Sequence, residues 1–102
     1  MQSIQATQQQ ALAQACQSLW LATLSLMTAY MHNGAPAHRL LLARRIARNF
    51  ATLNEQRECF DPATQAHFAK LAQRWQRTAA SLTPEGAAQP TVFTRLQRLF
   101  AR

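Results

Sequence analysis

A chain of 102 residues with a net charge of +7 and 48% apolar side chains is enough for one domain, and folding buries about 65% of the surface that such an unfolded chain exposes. Ile4, Ile46 and Val92 are the only β-branched aliphatic residues, too few for a sheet, whereas Ala, Leu, Gln and Arg are plentiful and favour helix. The composition also excludes a disulfide framework, with only Cys16 and Cys59, and a glycine-rich phosphate loop, with only two glycines.

The first predicted helix runs from about Gln5 to His32. Leu12, Cys16, Leu19, Thr23, Leu26 and Tyr30 recur at helical spacing, and Trp20, Leu24, Met27 and Met31 form a neighbouring stripe. The opposite side carries Gln14, Ser18, Ser25 and Thr28, with Leu21 among them. An apolar face this wide suits the central member of a bundle or one side of a homodimer. The start, "QATQQQ", is expected to fray. Residues 1–37 contain no Asp, Glu, Lys or Arg, so the run is long enough to span a bilayer, and arginines follow it. Its polar residues gather on one face, however, which favours a buried bundle helix over a lipid-exposed one. No charged segment precedes the apolar run as in a secretory signal, and a cytoplasmic setting is expected.

"HNGAP" then breaks the chain, and Pro36 suits the first turn of a second helix reaching about Glu58. Leu40, Leu42, Ala43, Ile46, Ala47, Phe50 and Leu53 share one arc, while Arg44, Arg45, Arg48 and Leu41 fall on the other side. Asp61 is a natural N-cap and Pro62 a natural first residue for a third helix ending near Ser81. Its stripe is Phe68, Leu71, Ala72, Trp75, Ala79 and Leu82, with Lys70, Arg74 and Arg77 opposite. Residues 83–90, "TPEGAAQP", read as a linker. Residues 91–102 read as a short amphipathic helix, with Val92, Phe93, Leu96, Leu99 and Phe100 facing one way and Arg95, Arg98 and Arg102 the other. So short a helix needs a surface to lie on. That surface is the bundle, a second chain or, as a weaker alternative, a membrane surface. The predicted fold is all-α: an antiparallel three-helix bundle over residues 1–82, with a short fourth C-terminal helix packed on it. Leu19, Leu26, Ile46, Phe50, Phe68, Leu71 and Trp75 are the expected core.

The charge pattern is the most informative feature. "HRLLLARRIARNF" holds four arginines and no acid. Antiparallel packing about the second turn brings Arg48 level with about Phe68, Arg44 with Ala72 and Arg39 with Arg77. Arg44, Arg45, Arg48, Lys70, Arg74 and Arg77 can then join in one outer strip. None of the six has an acid three or four residues away, so each lacks the support of about 0.2–0.5 kcal/mol that such a pair supplies. The second helix also sets its arginines toward its positive end and Glu55 and Glu58 toward its negative end. Three accounts compete: a solvated face, an acidic protein or phosphate partner, and a second copy of the chain.

Chemistry-bearing sets are sparse. His32 and His38 flank one turn without a third ligand, and His67 lies beside Lys70, so no metal site and no cofactor are expected. Cys16 and Cys59 read as small core hydrophobes, and Cys59, between Glu58 and Asp61, makes a poor catalytic nucleophile. The four acids pair with no histidine, so an enzyme is not expected. Nucleic-acid binding fits the charge, with Gln73, Arg74 and Arg77 as groove candidates. The second helix is, however, about twice the length usual for a helix-turn-helix partner, and the aromatics lie on core stripes. The leading expectation is a non-enzymatic, self-associating helical interaction module that binds an acidic protein surface through the strip. The alternatives are a nucleic-acid binder using the same strip and a peripheral membrane protein using the C-terminus.

Overall fold

The computed structural model describes residues 2–84, with side chains from Ile4 onward. It contains three helices, α1 (Gln2–His32), α2 (Pro36–Asn54) and α3 (Pro62–Leu82), and no strand among the described residues. The expected fourth helix, and all of the expected linker beyond Pro84, lie outside the described residues.

Each break follows from local chemistry. The Asn33 side chain accepts the Ala35 N–H at 2.9 Å, an Asx turn that stops α1 and sets up the extended residue before Pro36. Pro36 opens α2, where its missing N–H costs nothing. Asp61, also extended, precedes Pro62 at the start of α3. Its carboxylate takes the Thr64 hydroxyl as a partner one turn on.

Two boundaries differ from expectation. α1 is helical from Gln2, because "QATQQQ" contains only residues that tolerate helix and nothing that breaks it. α2 stops at Asn54, so Glu55 is its C-cap and Glu58 belongs to the connecting turn. The chain must reverse early enough for Phe60 to meet Phe68 edge-on, with ring centroids 4.9 Å apart. The Gln65 side chain closes the reversal by donating from Nε2 to the Asn54 carbonyl at 2.8 Å, which satisfies one of the orphan acceptors at the helix end.

The three rods pack around aromatic rings. Trp20 of α1 meets Phe50 of α2 at 5.8 Å and Phe68 of α3 at 5.5 Å, and Phe50 and Phe68 stack at 6.0 Å. Farther along, Tyr30 stands edge-on to Trp75 at 5.0 Å, and the Arg39 guanidinium lies 4.3 Å from the Tyr30 ring centroid. Partners on α2 fall from Phe50 to Arg39 as α1 advances from Trp20 to Tyr30, so the two helices run antiparallel. α2 and α3 are likewise antiparallel, tied at Asn54–Gln65 and again at Phe50–Phe68.

Phe50, Ile46 and Leu53 are fully buried, and Phe68 and Ala72 nearly so. Full burial of one such large apolar side chain contributes about 1.5–3 kcal/mol. Of the expected core, Ile46, Phe50 and Phe68 are buried, while Leu19, Leu26, Leu71 and Trp75 pack against them half-covered. Thr23, on the apolar stripe of α1, is also fully buried; its hydroxyl donates to the Leu19 carbonyl at 2.7 Å and so leaves no unmet donor.

Candidate functional site

Apart from Arg57 in the connecting turn, every Lys and Arg among the described residues lies on α2 or α3. Arg44, Arg45 and Arg48 are exposed on α2, as are Lys70, Arg74 and Arg77 on α3. Their surroundings differ. Arg44 and Arg48 stand one turn apart and, with Ala47 and Ala51, wall a shallow groove of about 600 Å³ whose other bank is Gln76, Ala79, Ala80 and Thr83. Arg45 is one residue on from Arg44, about 100° round the helix, and does not line the groove. Lys70, Arg74 and Arg77 sit on the side of α3 turned away from Phe68, Ala72 and Ala79, so they too stand outside it. The groove thus brings together two of the six strip residues. None of the six meets a carboxylate among the described residues.

Arg39 has a different role from its neighbours. It is half-buried over the Tyr30 ring, with Nε buried and without a hydrogen-bond partner. A guanidinium so placed over an aromatic face gains about 1 kcal/mol. Its placement near the positive end of α2, unfavourable for the helix dipole, is offset by that ring. Sequence spacing gave no sign of this contact, because Tyr30 and Arg39 lie on different helices across the Asn33–Gly34 break.

The second cluster is made by the cysteines. Cys16 is buried on α1 and Cys59 half-buried in the α2–α3 turn, with their sulfurs 2.8 Å apart. Cys59 Sγ also faces the Leu12 carbonyl at 3.9 Å. Both cysteines open on a cavity of about 620 Å³ between α1 and the turn, with Trp20 and Phe60 behind and Gln9, Gln17 and Glu58 at the rim. Burial, then the hydrogen bond and charge of Cys59, push the Cys16 thiol up to about 11. Read one at a time, each cysteine looked like an isolated small hydrophobe. Their pairing depends on the turn returning Cys59 toward α1, which no local pattern announces.

Among the described residues, no three His, Cys, Asp or Glu side chains gather as a metal-donor set. The Thr64 hydroxyl, bonded to the Asp61 carboxylate, holds that carboxyl below the usual range. No helix among the described residues is long and apolar enough to cross a membrane.

On α1, Leu21, Leu24 and Met31 remain 55%, 40% and 79% exposed. They share a flank with Gln17 and Thr28, beside the half-buried Trp20 and Met27. The broad apolar face expected of this helix is therefore covered on one flank only. No family model, curated protein or solved structure matches the chain.

Proposed function

We propose that the chain is a non-enzymatic helical interaction module that self-associates through the flank of α1 bearing Leu21, Leu24 and Met31, and takes an acidic protein partner on the cations of α2 and α3. The observation that carries this reading is the uncharged, partly uncovered α1 flank. Exposed leucines at helical spacing on a segment without a single charge resemble half of a helix–helix interface more than a solvated surface. A second copy supplies the same flank by two-fold symmetry. Residues 91–102 complete the proposed architecture as the short fourth helix, docked on the bundle or on the second chain, and the proposed compartment is the cytoplasm.

Light scattering on the full chain tests self-association. A dimer that becomes a monomer in Leu24→Gln/Met31→Gln, with helicity unchanged, supports the reading. A wild-type monomer at high micromolar concentration overturns it. The unpaired cations favour a second reading, nucleic-acid binding, and a salt titration separates the two. Phosphate contacts on duplex DNA make log affinity fall with a slope of about −0.9 per contact, and failure to bind duplex DNA at low salt removes that reading.

A further inference from the structure

We propose that Cys16 and Cys59 are a redox pair that closes into a disulfide and thereby fastens α1 to the turn between α2 and α3. The inference stands on placement. Two sulfurs 2.8 Å apart are well inside the separation of about 3.5–4.0 Å at which non-bonded carbon atoms rest. They need to approach by less than 1 Å to reach a bond length of about 2.05 Å.

The surroundings set the order of events. Both line the same cavity, but Cys16 is only 5% exposed whereas Cys59 is half-exposed. A small-molecule disulfide such as oxidised glutathione therefore meets Cys59 first. The Cys59 thiolate attacks one sulfur of the reagent, forming a mixed disulfide and releasing one thiolate. Cys16 then gives up its proton and attacks the Cys59 sulfur, breaking the mixed bond and releasing the second thiolate. Two electrons pass from the cysteine pair to the reagent, and the two protons end on the released thiols. The raised Cys16 pKa slows its deprotonation, but the partner sulfur is already in contact, so the second step does not wait on a diffusional encounter. Neither step requires a catalytic thiol, because a disulfide reagent exchanges with any accessible cysteine at mildly alkaline pH.

Closure has a mechanical consequence. The bond joins residues 43 apart in sequence, and a loop of that length removes substantial entropy from the unfolded chain. Oxidation should raise the melting temperature by about 10 °C or more.

The test uses the full wild-type chain, reduced, desalted and incubated with oxidised glutathione. Intact-mass spectrometry is expected to show a species lighter by two hydrogens and refractory to alkylation, with the linkage mapped to Cys16 and Cys59 and reversed by dithiothreitol. Cys16→Ser should halt at a persistent glutathione adduct on Cys59, because the resolving thiol is gone. In Cys59→Ser, the enclosed Cys16 should react far more slowly. A wild-type chain that accumulates glutathione adducts without releasing them, that keeps two alkylatable thiols, or that forms only disulfides between chains overturns the proposal. The wild-type measurement decides the matter even if a serine variant fails to fold.

Discussion

The α2–α3 pair and α1 solve the same packing problem in opposite ways. Apart from Arg39, α2 and α3 carry their charge on the outside and bury a compact set of rings and aliphatics, so each has a clear inside and outside. α1 has no charge at all. At about 1.5 Å per residue, its 31 residues extend about 46 Å, against about 31 Å for the 21 residues of α3. Residues 4–11 are all exposed, and only from Leu12 onward does α1 begin to be covered. A helix can thus be held firmly by a few large side chains while most of its surface stays uncommitted.

That contrast can be broken most directly at the rings. Phe50→Ala removes a fully buried ring that touches both neighbouring helices and should cost about 3–5 kcal/mol in urea unfolding. Trp20→Ala should cost nearly as much, although Trp20 is only half-buried, because its ring meets Phe50 of α2 and Phe68 of α3. A negligible loss would mean that α1 merely rests on the other two helices.

A smaller effect is expected at the far end. Tyr30→Ala should cost about 2 kcal/mol through lost packing on Trp75 and loss of the cation–ring contact. Tyr30→Phe keeps both and should stay within about 0.5 kcal/mol of wild type. Equal losses in the two variants would show that the hydroxyl, and not the ring face, holds Arg39.

Next in size is a pH effect. In the reduced protein the Cys16 pKa lies above its ordinary 9.0, at about 11. The neutral thiol's contribution to stability is therefore fully present below about pH 9 and lost as the pH rises toward 11. Thermal unfolding across that window should steepen for reduced wild type relative to Cys16→Ala. Parallel curves would mean that Cys16 is accessible to water.

The smallest effect is expected at Asp61. Its carboxyl is held low by Thr64, so its contribution is present above the unfolded value of 3.8 and lost on acidification through that range. Thr64→Val should flatten the acid limb of the stability curve slightly. An unchanged limb would leave the Asp61–Thr64 bond without a role in solution.

Much of the fold was legible because it depends on spacing and on punctuation by proline. The starts at Pro36 and Pro62, the arc of α2 and the stripe of α3 all follow from periodicity and from residues with few conformational choices. The end of α2 was not legible. "NEQRE" is locally acceptable as helix, and the early stop depends on Phe60 finding Phe68 and on Gln65 reaching back to Asn54. The candidate sites divide in the same way. Cations on outer faces could be read from the helical period, but which of them share a groove depends on how the helices lean, and that brought Arg44 and Arg48 together without Arg45. The Cys16–Cys59 pair and the Arg39–Tyr30 stack join different elements, so only the assembled chain reveals them.

The two ring clusters have one more consequence. Trp20 and Tyr30 are ten residues apart on α1, a separation of about 15 Å along its axis, and each is gripped by both other helices, with Arg39 supplying the α2 side at Tyr30. A rod pinned at two such points can neither slide by a turn nor roll about its length without releasing both at once. The exposed Leu24 and Met31 are therefore presented at a fixed azimuth, as an incoming surface would require.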